Sequence, residues 1–183
     1  MLSPVAQPAF HSLRLDLEPL EIRHAALLHP SLSDAELYRF FDREPPQNLE
    51  ALATRYSHLV SRRSPDGAEI WLNWAVRHRD AAAYIGTVEA TLYPNRRANI
   101  AYVTFREFWR QGYSKEAIAA LIAHLFKEWP VELIEIVMDS RNLASVRLAE
   151  SVGAKRIEFT PRACFFKGSF SDEYRYELAK NGS

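Results

Sequence analysis

The spacing of apolar residues changes several times along this chain, and each change marks an element. Leu13, Leu15 and Leu17 alternate with Arg14 and Asp16, the period of a half-buried strand that ends at Pro19. From 22 to 63 the pattern predicts helical pieces, two of them separated by Pro30 and a third preceded by Pro45-Pro46. Asn48 stands where an N-cap of that third helix belongs, and Leu49, Leu52, Ala53, Tyr56, Leu59 and Val60 form its apolar stripe. Ser64-Pro65-Asp66-Gly67 is turn chemistry. Three strands are expected next. Ile70, Leu72, Trp74 and Val76 share a face of the first. Tyr84, Gly86, Val88, Ala90 and Leu92 share a face of the second, with Thr87, Glu89 and Thr91 opposite. Ala98–Phe105 is the third. Short polar connections at 77–82 and 94–97 make these strands antiparallel neighbours.

The period then becomes helical at Ile118, Leu121, Ile122, Leu125, Phe126 and Trp129, and Pro130 stops it. Leu133–Met138 is a short buried strand. Asn142 opens a further helix, which carries Val146, Leu148, Ala149 and Val152 and closes at Gly153. A strand, a helix and a strand across 98–138 make a βαβ unit, so its two strands run parallel. Residues 155–179 are two strands joined near Gly168–Asp172, and residues 1–12 are a loose lead-in. The expectation is one mixed α/β domain over 1–183, with an antiparallel first half, one parallel crossover and a terminal hairpin.

Composition narrows the function classes. The chain has 183 residues, with 23 Lys and Arg against 23 Asp and Glu, for a formal net charge of zero. That balance lacks the basic excess of a nucleic-acid module and leaves any charged ligand to a local patch. Neutrality is compatible with a homodimer. The single cysteine, Cys164, excludes a disulfide framework and a multi-thiolate zinc site, and the six scattered histidines suggest no metal. Residues 1–10 lack the basic and apolar regions of a signal peptide. The longest purely apolar run, Ala117–Ala123, falls short of the roughly 18 residues of a membrane span. A cytoplasmic protein with no membrane partner is expected. Trp71, Trp74, Phe165 and Phe166 read as core or groove packing, and Cys164 as a buried apolar residue.

The chemistry concentrates in Trp109-Arg110-Gln111-Gly112-Tyr113-Ser114-Lys115-Glu116-Ala117, between the third strand and the long helix. A strand-to-helix turn presents free N–H groups and the positive end of the helix dipole, which together attract an anion. Gly112 permits positive φ or close approach of a phosphate. Arg106, Arg110 and Lys115 add charge, while Arg96 and Arg97 fall at the far end of the strand. No Walker A pattern, Rossmann fingerprint or Gly-x-Ser-x-Gly elbow is present. A second polar break, Asp139 to Ser145, lies at the carboxyl end of the next strand, where open α/β sheets bind ligands. There Asn142 and Ser145 sit at a helix start, as cap and first-turn residue or as ligand donors.

The combined pattern resembles the GNAT superfamily of N-acetyltransferases: Trp109-x-x-Gly112-Tyr113-Ser114-x-Glu116-Ala117, then Asn142-x-x-Ser145, then Leu148-Ala149-Glu150-x-x-Gly153-Ala154. Within it the chain is most similar to the ribosomal-protein N-terminal acetyltransferase (Rim-like) branch, over roughly residues 13–179. The resemblance implies helices on both faces of the sheet and acetyl-CoA as cosubstrate. The acetyl group would pass to a primary amine, of a protein N-terminus or a small molecule, by direct attack in a ternary complex. It further implies a CoA site formed by Tyr102, Val103, Thr104 and Phe105 of the strand, Arg110, Gln111, Gly112, Tyr113, Ser114 and Lys115 of the loop, and Asn142 and Ser145. The loop departs from the family at Trp109, where Gln or Arg is usual, and at Ser114, where Gly or Ala is usual. No tyrosine lies between Tyr113 and Tyr174, so the helical tyrosine acid of many relatives is missing, and the Rim-like serine, Ser145, takes its place. The glutamate base of that branch falls near Cys164. Glu89 is the strand carboxylate considered in its stead, beside solvent water. A non-catalytic acyl-CoA-binding or regulatory domain on the same fold, and a phosphate-binding α/β protein unrelated to CoA, remain alternatives at this point.

Overall fold

A computed structural model of the chain describes residues 5–180. Its elements are β1 (Phe10–His11), β2 (Leu15–Pro19), α1 (His24–Leu32), a 3-10 turn (Ala35–Tyr38), α2 (Leu49–Leu59), β3 (Ile70–His78), β4 (Tyr84–Leu92), β5 (Arg97–Thr104), α3 (Tyr113–Glu128), β6 (Leu133–Asp139), α4 (Leu143–Ser151), β7 (Lys155–Phe166) and β8 (Ser169–Ala179). All eight strands form one sheet in the order β1-β2-β3-β4-β5-β6-β8-β7. Every pairing is antiparallel except β5 with β6. The mixed sheet, its single parallel crossover and its terminal hairpin are as expected.

The strand period divides the core in two. Leu72, Trp74, Val88, Ala90, Ile100 and Ile134 turn to α3 and α4, where Ile118, Leu121 and Leu125 are fully buried. Each such side chain contributes roughly 1.5–3 kcal/mol. Leu20, Ala75, Val103 and Phe105 turn the other way, to Leu28, Leu52 and Tyr56 of α1 and α2. Asn48 caps α2 as expected, its Oδ1 accepting from the Ala51 amide at 2.8 Å. Leu49 and Val60, however, lie outside the buried stripe.

Four local expectations change. Residues 1–4 of the lead-in lie outside the described residues, but 5–12 are packed rather than loose. Gln7 is buried and donates to the Asn73 carbonyl, and Phe10 stacks on His124 at 4.1 Å and meets Trp74 edge-on. The first long strand begins at Leu15, because Ser12 N–H donates to Leu15 C=O and leaves Leu13 86% exposed in a turn. Pro30 lies inside α1 instead of between two helices. It sits on the exposed side in the last turn, and the Ala26 carbonyl that loses its donor lies on the exposed side too, where water can meet it. Finally, the hairpin turns at Lys167-Gly168, both with positive φ (+49° and +75°), so Ser169 to Asp172 belong to β8. Two such residues make the turn that matches strand twist.

The pairing of β5 with β6 positions the site. It holds only from Arg97↔Leu133 to Asn99↔Glu135, after which the strands part. Arg97 pins the closed end, bridging Glu135 of β6 and Glu177 of β8. At the open end each strand is tied elsewhere. Thr104 hydrogen-bonds Ser114 at 2.8 Å, holding β5 to the start of α3. Asp139 accepts from Ser171 Oγ at 2.7 Å, holding β6 to β8. Across β5, Gly86 of β4 is required, since a Cβ there would stand 2.0 Å from the Val103 carbonyl oxygen.

Candidate active site

A cleft of about 680 Å³ runs from the start of α3, past the open end of β5, to the start of α4. At its entrance Arg110 (φ +61°) and Gly112 (φ +80°) turn the chain so that the amides of Arg110 through Lys115 donate to no other backbone group among the described residues. Successive free amides with alternating backbone hand form an anion-binding concavity, strengthened by the helix dipole. An ion pair behind the loop fixes it. Glu116 accepts from Ser12 Oγ, Arg14 N and Arg14 Nε, each at 2.7 Å. Burial alone would raise the Glu116 pKa, but these donors outweigh it and hold the carboxyl below its ordinary value. Arg14 also lies over the Tyr113 ring at 4.3 Å.

These features fit the pyrophosphate and pantetheine arm of CoA: unpartnered amides for the first, and an unpaired strand edge from Ile100 onward for the second. Tyr102, Val103, Thr104, Arg110, Gly112, Ser114, Lys115, Asn142 and Ser145 line the cleft, and Arg147 joins Arg110 and Lys115 as a cation there. Arg106 is exposed and does not line it. Gln111 turns its side chain to the Glu107 carbonyl (2.8 Å) and offers its amide only. Tyr113 packs against Phe108 and His78. Phe105 is a correction to the expected CoA site. Its ring is buried in the α1/α2 core and its amide is taken by Ile85 C=O at 2.8 Å, so it has nothing to offer the cleft. Trp109, the departure from the family loop, donates its indole N–H to the Thr104 carbonyl at 2.6 Å and braces β5 against the loop.

The cleft ends on a pair of hydroxyls. Tyr102 of β5 donates to Ser145 Oγ of α4 at 3.0 Å, across the gap between β5 and β6. Burial pushes the Tyr102 phenol up to about 12, its bond to Ser145 offsetting part of the rise, so it keeps its proton at neutral pH. Asn142 Oδ1 accepts the Ser145 amide at 3.2 Å and caps α4.

Beyond Ser145 a second cavity of about 230 Å³ lies between the parted strands, roofed by Phe40, Phe41 and Asp42 and floored by the terminal hairpin. The roof is latched. Lys167 Nζ, in the hairpin turn, donates to the carbonyls of Tyr38 (2.6 Å), Phe41 (3.2 Å) and Arg43 (3.3 Å). Cys164 is half-buried here rather than sealed in the core. Its thiol donates to Glu173 Oε1 at 3.5 Å, and its pKa is raised, by burial first and by that carboxylate second. Glu89 is elsewhere. It lines a separate cavity of about 130 Å³ between β4 and α1/α2, beside Tyr56, Arg55 and Asn73, which shares Val103 with the cleft and no residue with the cavity beyond Ser145. Phe40 and Asp42 fall in the segment 22–65, and Lys167 and Glu173 in the terminal hairpin, the two stretches expected to shape the acceptor side, but none stands in a motif that gives it an individual role. The alternation of β8, with Ser171, Glu173 and Tyr174 near a turn glycine, was the available signal.

The chain is 25% identical over 175 residues to the uncharacterized N-acetyltransferase YoaA of Bacillus subtilis (strain 168), covering 94% of this chain and 97% of that one. Its fold is similar to that of RimL, a ribosomal L7/L12 alpha-N-protein acetyltransferase solved with coenzyme A. There the TM-score is 0.84 at 18% identity, over 94% of this chain and 98% of that one. It is also similar to that of spermidine N-acetyltransferase from Vibrio cholerae, solved with CoA and spermine. There the TM-score is 0.78 at 20% identity, over 91% and 95%. The Acetyltransferase (GNAT) domain family matches residues 14–155, which hold both the loop of free amides and the Asn142/Ser145 helix start, so this chain belongs to the GNAT family and is an N-acetyltransferase that uses acetyl-CoA.

Proposed function

We propose that the protein moves the acetyl group of acetyl-CoA directly to a primary amine, of a protein N-terminus or a small molecule, held in the cavity beyond Ser145. The observation that carries this reading is the continuity of the two cavities. Both are lined by Phe40, Phe41, Tyr102, Asn142 and Ser145, so a thioester lying in the cleft and an amine in the cavity meet at those side chains. The two similar structures described above are of enzymes that by name act on a protein α-amine and on spermidine, each of which offers a primary amine.

Acetyl-CoA supplies the activated acetyl group, and the protein's residues do the rest. The amides from Arg110 to Lys115 take the pyrophosphate, with Arg110, Lys115 and Arg147 as charge partners, while Tyr102, Val103 and Thr104 border the pantetheine arm. Ser145 gives a proton to the departing sulfur. Because Ser145 Oγ already accepts from Tyr102, its own hydrogen is left for donation, and the first turn of α4 favours negative charge beside it. Tyr102 thus stands where helical tyrosines are absent, reached from the strand instead.

The test has two stages. CoA should raise the melting temperature, a ligand at a hundred times its Kd adding about 2.7 kcal/mol. Free thiol should then be released from acetyl-CoA with a polyamine or a short peptide with an open N-terminus. No melting shift overturns the cleft assignment. A shift without thiol release from any amine overturns the acceptor cavity.

A further inference from the structure

The cavity beyond Ser145 contains three carboxylates, Asp42, Asp139 and Glu173, and among the described residues no cationic side chain lines it. They are not equivalent. Asp139 is saturated and sealed, its side chain 1% exposed, with Arg141 and Ser171 filling both oxygens. These donors outweigh burial and hold its pKa below the ordinary value. Asp42 is exposed on the roof loop, and only the Lys167 latch on neighbouring carbonyls positions it. Glu173 is half-buried and rigidly carried, since β8 is paired on both sides there, to Asp139 of β6 and to Thr160 of β7. It has no ion-pair partner among the described residues. One oxygen, Oε1, takes the Cys164 S–H. Its other oxygen has no donor among the described residues.

The neighbouring strand is shaped to this end. Between Thr160 and Cys164 the β7 register slips, with Arg162 at φ +51° and its amide bound to Asp172 Oδ1 at 2.7 Å. The bulge brings Cys164 opposite Ser171 and within reach of Glu173. Bulges of this kind commonly re-aim a side chain beside an active site. The thiol, kept protonated by its raised pKa, is a neutral donor that orients the carboxylate without neutralising it.

We infer that Glu173 is the carboxylate that binds the acceptor's ammonium and takes its proton, with Cys164 as its positioning residue. This rests on the acceptor cavity proposed above. Glu173 accepts a proton from the ammonium, the freed nitrogen pair forms the bond to the acetyl carbon, and the C–S pair leaves with sulfur. The sulfur is protonated from Ser145, which is refilled from solvent. The nitrogen gives up two protons in all, one balanced by the thiol and one released to solvent. The acceptor class is a cationic amine with an apolar portion, since Phe40, Phe41 and Phe166 supply the remaining walls.

The experiment compares wild type, Glu173→Gln and Glu173→Asp, with spermidine and a short peptide with an open N-terminus as acceptors. Thiol release is followed from pH 6 to 9, and the CoA melting shift is recorded beside it. Glu173→Gln should lower kcat/KM by about 10²-fold at pH 7, with the deficit shrinking as pH rises and free amine accumulates. The CoA shift should stay at the wild-type size. Glu173→Asp keeps the charge and should retain more turnover than Gln, which separates charge from packing. Equal turnover of Gln and Asp variants, or a Gln variant at wild-type kcat/KM across the range, overturns the inference while leaving the acceptor cavity standing. Wild-type protein that binds CoA but acetylates neither amine overturns the cavity reading itself, and this inference with it.

Discussion

The two halves of the site are built at different ranges along the chain. On the CoA side the amide loop is built locally, with one long-range brace behind it, from Glu116 to Ser12 and Arg14. Thr104, Trp109, Gly112 and Ser114 belong to one passage from strand to helix, and their bonds run between near neighbours. On the acceptor side the parts come together only in the fold. The Lys167 latch reaches carbonyls 124 to 129 residues away, and Glu173 shares its cavity with Asp42 and Ser145 from two other segments. In the proposed site the CoA half is built on free backbone amides, which Trp109 and Ser114 leave in place where the family's usual residues differ. The acceptor half works through side chains, so each substitution there changes what fits.

The largest effect should follow from breaking the local half. Gly112→Val puts a β-branched residue at φ +80°, which costs on the order of 1–3 kcal/mol of backbone strain. An added Cβ itself meets only Arg14 at 3.6 Å, so the strain and not a collision reshapes the amides. The CoA melting shift should be lost or nearly so, while Glu173→Gln leaves it intact. A Gly112→Val protein that binds CoA like wild type removes the loop from the site.

The junction of the halves comes next. Ser145→Ala should lower kcat by up to about 10²-fold, a modest value for acid assistance by a serine, with little change in CoA affinity. Tyr102→Phe removes the donor to Ser145 but leaves the serine hydroxyl, so its loss should be smaller. Stopped turnover and intact CoA binding are the readouts. A Tyr102→Phe defect larger than that of Ser145→Ala would make the phenol, and not the serine, the group that meets sulfur.

This contrast also explains what was legible in the sequence. Strand alternation placed β3, β4 and β6 to within two residues, because each face meets a different core. Gly112, Asn142 and Ser145 were legible because helix starts and turns are specified by neighbours in sequence. Phe105 misled, because strand alternation stops at the strand's end and says nothing of its turn into the α1/α2 core. The Lys167-Gly168 turn was misplaced because lysine is not a usual positive-φ residue. Its ammonium is held by the loop at 38–43, a contact invisible from position 167 alone. Tyr102 was placed on the strand edge, but its role depends on facing Ser145, 43 residues on.

Loosening the nonlocal half should have a milder effect. Lys167→Met deletes the three carbonyl contacts and the ion pair to Glu44 at 3.5 Å. The roof carrying Phe40, Phe41 and Asp42 then rests on packing alone. The amide loop keeps its own fixings, and Phe40 and Phe41 border both cavities, so KM for the amine should rise severalfold, with a smaller change in kcat and only a slight fall in the CoA melting shift. A rise confined to the KM for acetyl-CoA would assign the roof to the wrong cavity.

The smallest effect is expected at Glu89, and it sharpens the comparison most. Glu89 and Glu173 are both half-buried strand carboxylates, but they face different cavities. Glu89 lies near Tyr56, whose phenol is raised chiefly by burial, with Arg55 lowering it and Glu89 adding a small further rise. Its cavity is lined by Leu52, Arg55 and Tyr56 of α2 together with Arg43 and Asn73, and Ser145 is not among them. Glu89→Gln keeps size and hydrogen bonding while removing the charge. Loss of a base would lower kcat, with recovery at high pH, and loss of an ammonium binder would raise KM at constant kcat. Neither is expected: kcat and KM should match wild type from pH 6 to 9, while Glu173→Gln shows the pH-dependent loss in the same assay. If the profiles are exchanged, with Glu89→Gln impaired at low pH and Glu173→Gln normal, the amine enters from the α1/α2 side, and the cavity between the parted strands serves only the thioester.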